Sequence, residues 1–168
     1  MPADSRRTLK LTTYADVAGE IERLRETAYR PLGTWSLGEI CGHLSYYFRG
    51  SLTGFEFTLP WALRTFVGRP WVKRVLKTGV MKPGGKTVPD SVVTTVRSPA
   101  AEQALIEDCL MWLVRLDEHD GPLHDSPLAG KLSPEEWRRL HCIHAGHHLG
   151  FLVPAAEESA VLEETMPA

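Results

Sequence analysis

Hydrophobic and polar positions alternate with a helical period in four segments of this chain. The first segment runs from about Tyr14 to Thr27, and Thr12 or Thr13 is placed to cap its first turn. Its apolar residues fall on one face and its charged residues on the rest, which is typical of an amphipathic helix. That apolar face comprises Tyr14, Val17, Ile21 and Leu24.

The second segment begins at Ser36, which forms a capping box with Glu39. Gly50 and Gly54 weaken its end, so the helix is predicted to stop before Phe55. Its apolar positions at core spacing are Leu37, Ile40, Leu44, Tyr47 and Phe48, with His43 at the edge of this stripe.

The third and fourth segments each begin with a serine cap followed by proline. Ser98 and Pro99 open a helix that is predicted to continue to about Glu118. Ser133 and Pro134 open the last one, which is predicted to end at Pro154 because proline cannot continue the hydrogen-bond ladder. The inward stripe of this last helix comprises Trp137, Leu140, His144, Phe151 and Leu152.

Four helices joined by one long crossover predict an all-α four-helix bundle, with short helices in the crossover. Residues 1–11 are interpreted as a lead-in, 12–154 as the bundle domain and 155–168 as an acidic tail. Pro60 and Pro70 can each start a short helix in the crossover. The only strand-like run is V-P-D-S-V-V-T-T-V, and no sheet is predicted from it.

The crossover also carries an unusual charge pattern. Between Pro60 and Pro89 it holds seven basic residues and no acidic one, together with Trp61, Phe66 and Trp71. Such a segment can shape a pocket for an anionic substrate, contact another macromolecule or simply connect two helices through solvent. The seven basic residues are Arg64, Arg69, Lys73, Arg74, Lys77, Lys82 and Lys86.

Composition narrows the function classes. The chain has 168 residues, 43% of them hydrophobic and 24% charged, as expected for one globular domain. A formal net charge of −2 disfavours nucleic-acid binding, and no apolar run approaches the ~20 residues of a membrane span. The first ten residues lack the apolar core of a secretory signal. We expect a cytoplasmic protein whose Cys41, Cys109 and Cys142 are reduced core thiols.

The candidate chemistry lies in the last helix, which has four histidines within eight residues. His144 and His148 are four residues apart and therefore point from the same helix face. His43 is the only histidine on the predicted core face of another helix, so these three residues form the candidate metal site. A pair of His144 and His147 is the alternative. Three neutral imidazoles leave an open coordination position, as in catalytic sites, and favour zinc or nickel.

The last helix does not follow the H-E-x-x-H pattern of metalloproteases, since Ala145 follows His144. A general base would therefore come from elsewhere, and Glu39 and Asp125 are weak candidates. His141 and His147 are the candidate catalytic residues, acting as hydrogen-bond donors behind the ligands or as proton carriers.

Two stretches of this chain resemble a known superfamily. Both are similar to segments of the DinB-like (YfiT-like) metalloenzymes, and within that superfamily to the family called domain of unknown function 1569. The two stretches are W-S-L-G-E-I-C-G-H-L in the second helix and G-K-L-S-P-E-E-W-R-R-L-H-C-I-H-A-G-H-H-L-G-F in the last. The resemblance implies an up-down-down-up four-helix bundle and a divalent metal held at His43, His144 and His148. The family's histidine-proline loop is altered here, because His124 is followed by Asp125.

The resemblance also implies an activity. Superfamily relatives activate low-molecular-weight thiols or act as thiol-dependent transferases and isomerases, and they are often dimers. We therefore expect a metal-dependent transferase acting with a small thiol on a small-molecule substrate, with a homodimer allowed and no nucleic-acid or membrane partner. The alternatives are a metal-dependent hydrolase, a metal- or ligand-binding bundle without catalysis, and an interaction protein using residues 64–86.

Overall fold

The computed structural model describes residues 6–82, 89–93, 96 and 98–155, and it is mostly helical. The helices are α1 (Tyr14–Glu26), α2 (Leu37–Thr53), α3 (Trp61–Leu63), α4 (Arg69–Thr78), α5 (Pro99–Asp117) and α6 (Pro134–Leu149). A π-helical turn at Arg64–Gly68 joins α3 to α4, and a 3-10 turn spans Pro89–Ser91. Two short strands, β1 (Tyr29–Pro31) and β2 (Leu152–Pro154), pair antiparallel.

The four predicted helix starts are confirmed. Thr13, Ser36 and Ser133 each form a reciprocal capping box with the residue three positions on, and Ser98 accepts from the backbone of Ala101. These bonds satisfy backbone N–H groups that a helix start leaves without partners. The starts of α1, α2, α5 and α6 are therefore determined by local sequence.

Helices α1, α2, α5 and α6 share one hydrophobic core. The predicted stripe of α1 is buried completely or nearly so, and Leu44, Phe48 and Leu113 contribute large side chains with 0–2% exposure. A second, smaller cluster lies where α4 meets α6 and the loop before it. It comprises Val72, Leu76, Ala129, Leu132 and Trp137.

The end of the last helix differs from the prediction. Helix α6 ends at Leu149, and Leu152–Pro154 pairs with Tyr29–Pro31. The prediction that the chain forms no sheet is therefore wrong for this pair of strands. Phe151 is placed beside the helix end, not on its inward stripe, since the chain leaves the helix at Gly150. The pairing depends on a distant segment, so the spacing within residues 133–154 could not indicate it.

The lead-in is held against the helices from Arg6 onward. The Arg7 backbone N–H donates to Gly150, its side chain donates to the carbonyls of Leu149 and Leu152, and it forms an ion pair with Glu20. Leu9 and Leu11 pack against the main core. The described part of the lead-in therefore packs against α1 and the end of α6.

The crossover forms one helical segment from Trp61 to Thr78, where two separate short helices were predicted. Pro70 lies in the first turn of α4, where its missing N–H is tolerated. Of the strand-like run, Pro89–Ser91 forms the 3-10 turn and part of the rest lies outside the described residues, as does the tail from 156 to 168. Among the described helices, none is long and apolar enough to cross a membrane.

Candidate metal centre

Three histidines from two helices converge on one point. Nε2 of His144 lies 3.1 Å from Nε2 of His43 and 3.0 Å from Nε2 of His148. One ring nitrogen from each of these residues lies within 4.8 Å of the other two. His43 comes from α2, whereas His144 and His148 lie one turn apart on α6.

His43 is oriented by a backbone carbonyl. Its Nδ1 donates to the carbonyl oxygen of Ser91 at 3.0 Å, and its side chain is almost fully buried. Because Nδ1 carries the proton in this bond, Nε2 presents a lone pair to the other two rings. A hydrogen bond of this kind behind a ligand is usual for metal-binding histidines.

Aromatic rings enclose the three imidazoles. Trp35 stacks on His148, with ring centroids 5.4 Å apart and planes inclined by 20°. Tyr47 meets the edges of His43 and His144 at 5.1 and 4.9 Å. Tyr47 lines the cavity beside the histidines, whereas Tyr46 packs between Tyr47 and Phe55.

Burial keeps all three rings neutral. Desolvation is the largest cause in each case, and it lowers the pKa of His43 to about 4 and that of His148 to about 2. The pKa of His144 is lowered as well, by desolvation and by the neighbouring His148 and His43. The rings are therefore uncharged at neutral pH, the form in which histidine binds a metal.

The donor set fits a divalent transition metal. Tetrahedral zinc with bonds of ~2.0–2.1 Å to nitrogen separates its ligand atoms by about 3.3 Å, close to the observed 3.0 and 3.1 Å. Without a cation, a single Nε2 proton on His144 would have to serve two facing nitrogens. The three histidines can therefore hold a metal ion through Nε2 atoms and leave a position open toward the cavity.

His147, the alternative ligand, points elsewhere. The Arg6 guanidinium donates to its Nδ1, and its ring also bonds the backbone of Met81. Desolvation and the positive charge of Arg6 lower its pKa. Because both contacts occupy the ring, the geometry favours His148 over His147 as the partner of His144.

His141 lies one turn before His144 and is buried in the protein interior. Its Nδ1 forms a hydrogen bond with the Tyr14 hydroxyl at 3.1 Å, and Trp137 and Phe48 pack on its ring. Its Nε2 has no hydrogen-bond partner among the described residues. Burial lowers the pKa of His141 to about 3. The hydrogen bond with Cys109 and burial raise the pKa of Cys41, and burial raises the pKa of Cys142. All three side chains are therefore uncharged at pH 7.

A cavity of about 490 Å³ opens beside the three histidines. His141 and His147 also line it, so the structure brings every predicted site residue to one space. Within the described part of the chain, no aspartate or glutamate lines it. Glu39 accepts the Ser36 backbone N–H as a helix cap, and Asp125 is exposed in its loop, so neither candidate base reaches the cavity.

Sequence reasoning missed several residues that shape the site. The sequence patterns place Tyr14 on the apolar face of the first helix and Arg6 in the lead-in, and they do not single out Trp35 or the Ser91 carbonyl as parts of a site. Tyr14 and Trp35 were recognisable as apolar anchors at helix starts. Their contacts with histidines depend on the packing of distant helices, which local spacing does not indicate.

Comparison with known proteins gives one family. A family model described as "Protein of unknown function (DUF1569)" matches residues 3–155. No curated protein and no solved structure matches the chain significantly. Every described residue and all seven histidines lie within the matched range.

Proposed function

The chain belongs to the DUF1569 family, whose function is unknown, and we propose from the geometry of its histidines that it is a metal-dependent transferase. His43, His144 and His148 hold one divalent ion, with zinc or nickel favoured by the all-nitrogen donor set. The single observation that carries this proposal is the convergence of three histidine rings beside a cavity, with Nε2 of His144 3.1 Å from that of His43 and 3.0 Å from that of His148.

The fold we propose is a DinB-like four-helix bundle of up-down-down-up order spanning residues 12–154. The shared core of α1, α2, α5 and α6 supports it. A cytoplasmic location, a small-molecule substrate, no nucleic-acid or membrane partner and a homodimeric state belong to the same proposal. They rest on net charge, on the buried free cysteines and on the superfamily resemblance.

The reaction we propose is the transfer of a group to a small thiol. The bound ion supplies positive charge that favours thiolate over thiol at neutral pH. The thiolate sulfur forms a bond to an electrophilic carbon of the substrate, and the leaving group departs with the electron pair of the bond that breaks. The proton released by the thiol passes to a cavity base or to solvent.

His141 and His147 are the residues that we expect to hold or move this proton. His141 is held by Tyr14 and presents a neutral Nε2 that has no hydrogen-bond partner within the described part of the chain. His147 is fixed between Arg6 and Met81 and lies one residue from a ligand. Trp35 packs on His148 and Tyr47 packs on His144, so two aromatic rings cover part of the imidazole cluster.

A second candidate is hydrolysis, in which water takes the place of the thiol. The open ligand position and the absence of a carboxylate among the described lining residues are compatible with either reaction. A third candidate, a metal- or ligand-binding bundle without catalysis, is favoured by that same lack of a carboxylate base.

Elemental analysis of tag-free protein tests the metal proposal. We expect a stoichiometric divalent metal in the wild type and in His119→Ala, whose histidine is exposed at the end of α5, but not in His144→Ala. No metal after incubation with zinc and nickel would make the histidines structural. Turnover of 1-chloro-2,4-dinitrobenzene only with added glutathione or cysteine supports the transferase. Ester cleavage that needs no thiol supports the hydrolase. If neither reaction occurs, the binding module without catalysis is supported.

A further inference from the structure

The cavity beside the histidines has two chemically different ends. Helix α6 runs along it from Trp137 past the metal site to His147, a distance of about 15 Å at the rise of an α-helix. Its volume of about 490 Å³ is that of a site for a small organic molecule. The two ends therefore define what kind of molecule fits along α6.

The end near Trp137 is apolar and rigid. Trp137 is 2% exposed and stacks on Phe55, and its indole N–H donates to the carbonyl of His124. Because its only polar atom is satisfied, the indole offers the cavity an apolar surface. The facing wall contains Pro127 and Leu128.

Backbone hydrogen bonds hold that wall in place. The Leu59 N–H donates to Pro127, and the Leu128 and Ala129 N–H groups donate to the Ser126 hydroxyl. Ser126 and Gly130 exchange two further backbone bonds. An apolar group bound here meets a preformed surface, which reduces the ordering cost of binding.

The opposite end carries positive charge. Met81 contacts His147 through its backbone, and the next residue, Lys82, lines the cavity. Lys82 is the only formally charged side chain among the described residues of the lining. Arg6 adds to the positive potential, because its guanidinium donates to His147 and lies 5.3 Å from the centre of the Phe151 ring.

We propose that this cavity binds an elongated amphiphilic carboxylate, such as an aryl- or alkyl-substituted aliphatic acid. Its apolar body lies against Trp137 and Leu128, and its carboxylate pairs with Lys82. The basic crossover thus contributes one residue to an anionic-substrate pocket. The inference rests on the proposed function in one respect only, which is that a metal site lies midway along the bound carboxylate.

Charge in the cavity favours an anion over a neutral molecule. No described carboxylate lines the cavity to offset Lys82, and three neutral imidazoles would not offset a divalent ion. A carboxylate could pair with either the lysine or the ion. The zinc-free protein separates these two cases, since without the ion Lys82 is the only formally charged side chain among the described residues that line the cavity.

The test uses zinc-free full-length protein at pH 7 with 6-phenylhexanoate and its neutral analogue 6-phenylhexan-1-ol, measured by calorimetry. We expect the acid to bind about threefold to tenfold more tightly than the alcohol. Lys82→Gln should remove that difference and leave binding of the alcohol unchanged. Lys77→Gln is the matched control, because Lys77 is exposed on α4 away from the lining, and it should change neither affinity.

A variant at the apolar end completes the design. Leu128→Gln should weaken the acid and the alcohol by the same factor, since both place the phenyl group there. Equal affinity for acid and alcohol, or the same preference in Lys82→Gln as in the wild type, would overturn the inference. Because Lys82 is exposed, its substitution should leave the thermal unfolding temperature unchanged.

Zinc titration of the same preparation distinguishes this inference from the proposed function. If the protein binds zinc but its preference for the acid does not depend on Lys82, the metal centre is supported and the carboxylate pocket is overturned. If the preference depends on Lys82 but the protein binds no zinc, the carboxylate pocket is supported and the metal centre is overturned.

Discussion

Nε2 of His43 lies 3.1 Å from Nε2 of His144, although 101 residues separate the two in the chain. Helix α2 supplies the first and α6 the second, and the bond from His43 Nδ1 to Ser91 leaves a lone pair facing His144. This contact joins the two histidine segments into one candidate site.

The choice of ligand between two neighbouring histidines can be measured. His148→Ala should reduce zinc affinity by more than about 100-fold, because a ligand is lost. His147→Ala should reduce it less, by about 10- to 100-fold at most, as for a residue that acts behind the ligands. Competition with a chromogenic chelator gives both values. A greater loss in His147→Ala would favour the alternative pair of His144 and His147.

The stability of the metal-free protein should fall as the pH is lowered from 7 to 5. The pKa values of His43 and His141 are about 4 and about 3 in the folded chain, below the ~6.5 of an unfolded chain. The buried neutral histidines therefore lower the free energy of unfolding little above pH 6.5. Below that pH the unfolded chain takes up protons that the folded chain does not, so the free energy of unfolding declines until the pH nears 3–4. Each histidine should cost on the order of 1–2 kcal/mol at pH 5.

Urea denaturation at pH 7 and pH 5 measures this loss. His141→Phe should show a smaller decrease than the wild type, since one titrating group is gone. His119→Ala is the control and should show the same decrease as the wild type. Unfolding free energies that do not change between the two pH values would contradict the burial of neutral histidines.

The turn between α3 and α4 should not accept a side chain at Gly68. A Cβ atom there would lie 1.9 Å from the carbonyl oxygen of Leu128 in the cavity wall. Gly68→Ala should therefore lower the free energy of unfolding by about 1–3 kcal/mol. Gly19→Ala is the matched control: Gly19 lies on the exposed face of α1, nothing lies within 4 Å of an added Cβ, and the substitution should stabilise the protein by about 0.5–1 kcal/mol. Equal effects of the two substitutions would contradict the observed packing.

The segment before α1 should contribute to stability through Arg7. Its ion pair with Glu20 has side chains only 10% exposed, and its guanidinium also donates to the carbonyl of Leu149 at the end of α6 and to that of Leu152 in β2. Arg7→Met should cost about 2–3 kcal/mol in chemical denaturation. Arg138→Met removes an exposed pair with Glu135 and should cost less than about 1 kcal/mol. A negligible effect of Arg7→Met would indicate that residues 6–11 are dispensable.

The sequence by itself determined where the main helices begin and which histidines share a face. Capping boxes and the i, i+4 relation act within one turn, so Ser36 with Glu39, or His144 with His148, can be recognised without any knowledge of packing. The position of His43 beside an apolar stripe placed it toward the core, and the structure brings it to the other two. That the three hold a metal stays a prediction.

Only the tertiary structure decided the contacts between segments far apart in the chain. The pairing of Leu152–Pro154 with Tyr29–Pro31 follows the early end of α6, and Arg6 donates a hydrogen bond to Nδ1 of His147. Trp35 covers His148, and Lys82 reaches the cavity. Each depends on how helices rotate and pack against one another, and residue periodicity fixes the face of a helix but not its partner.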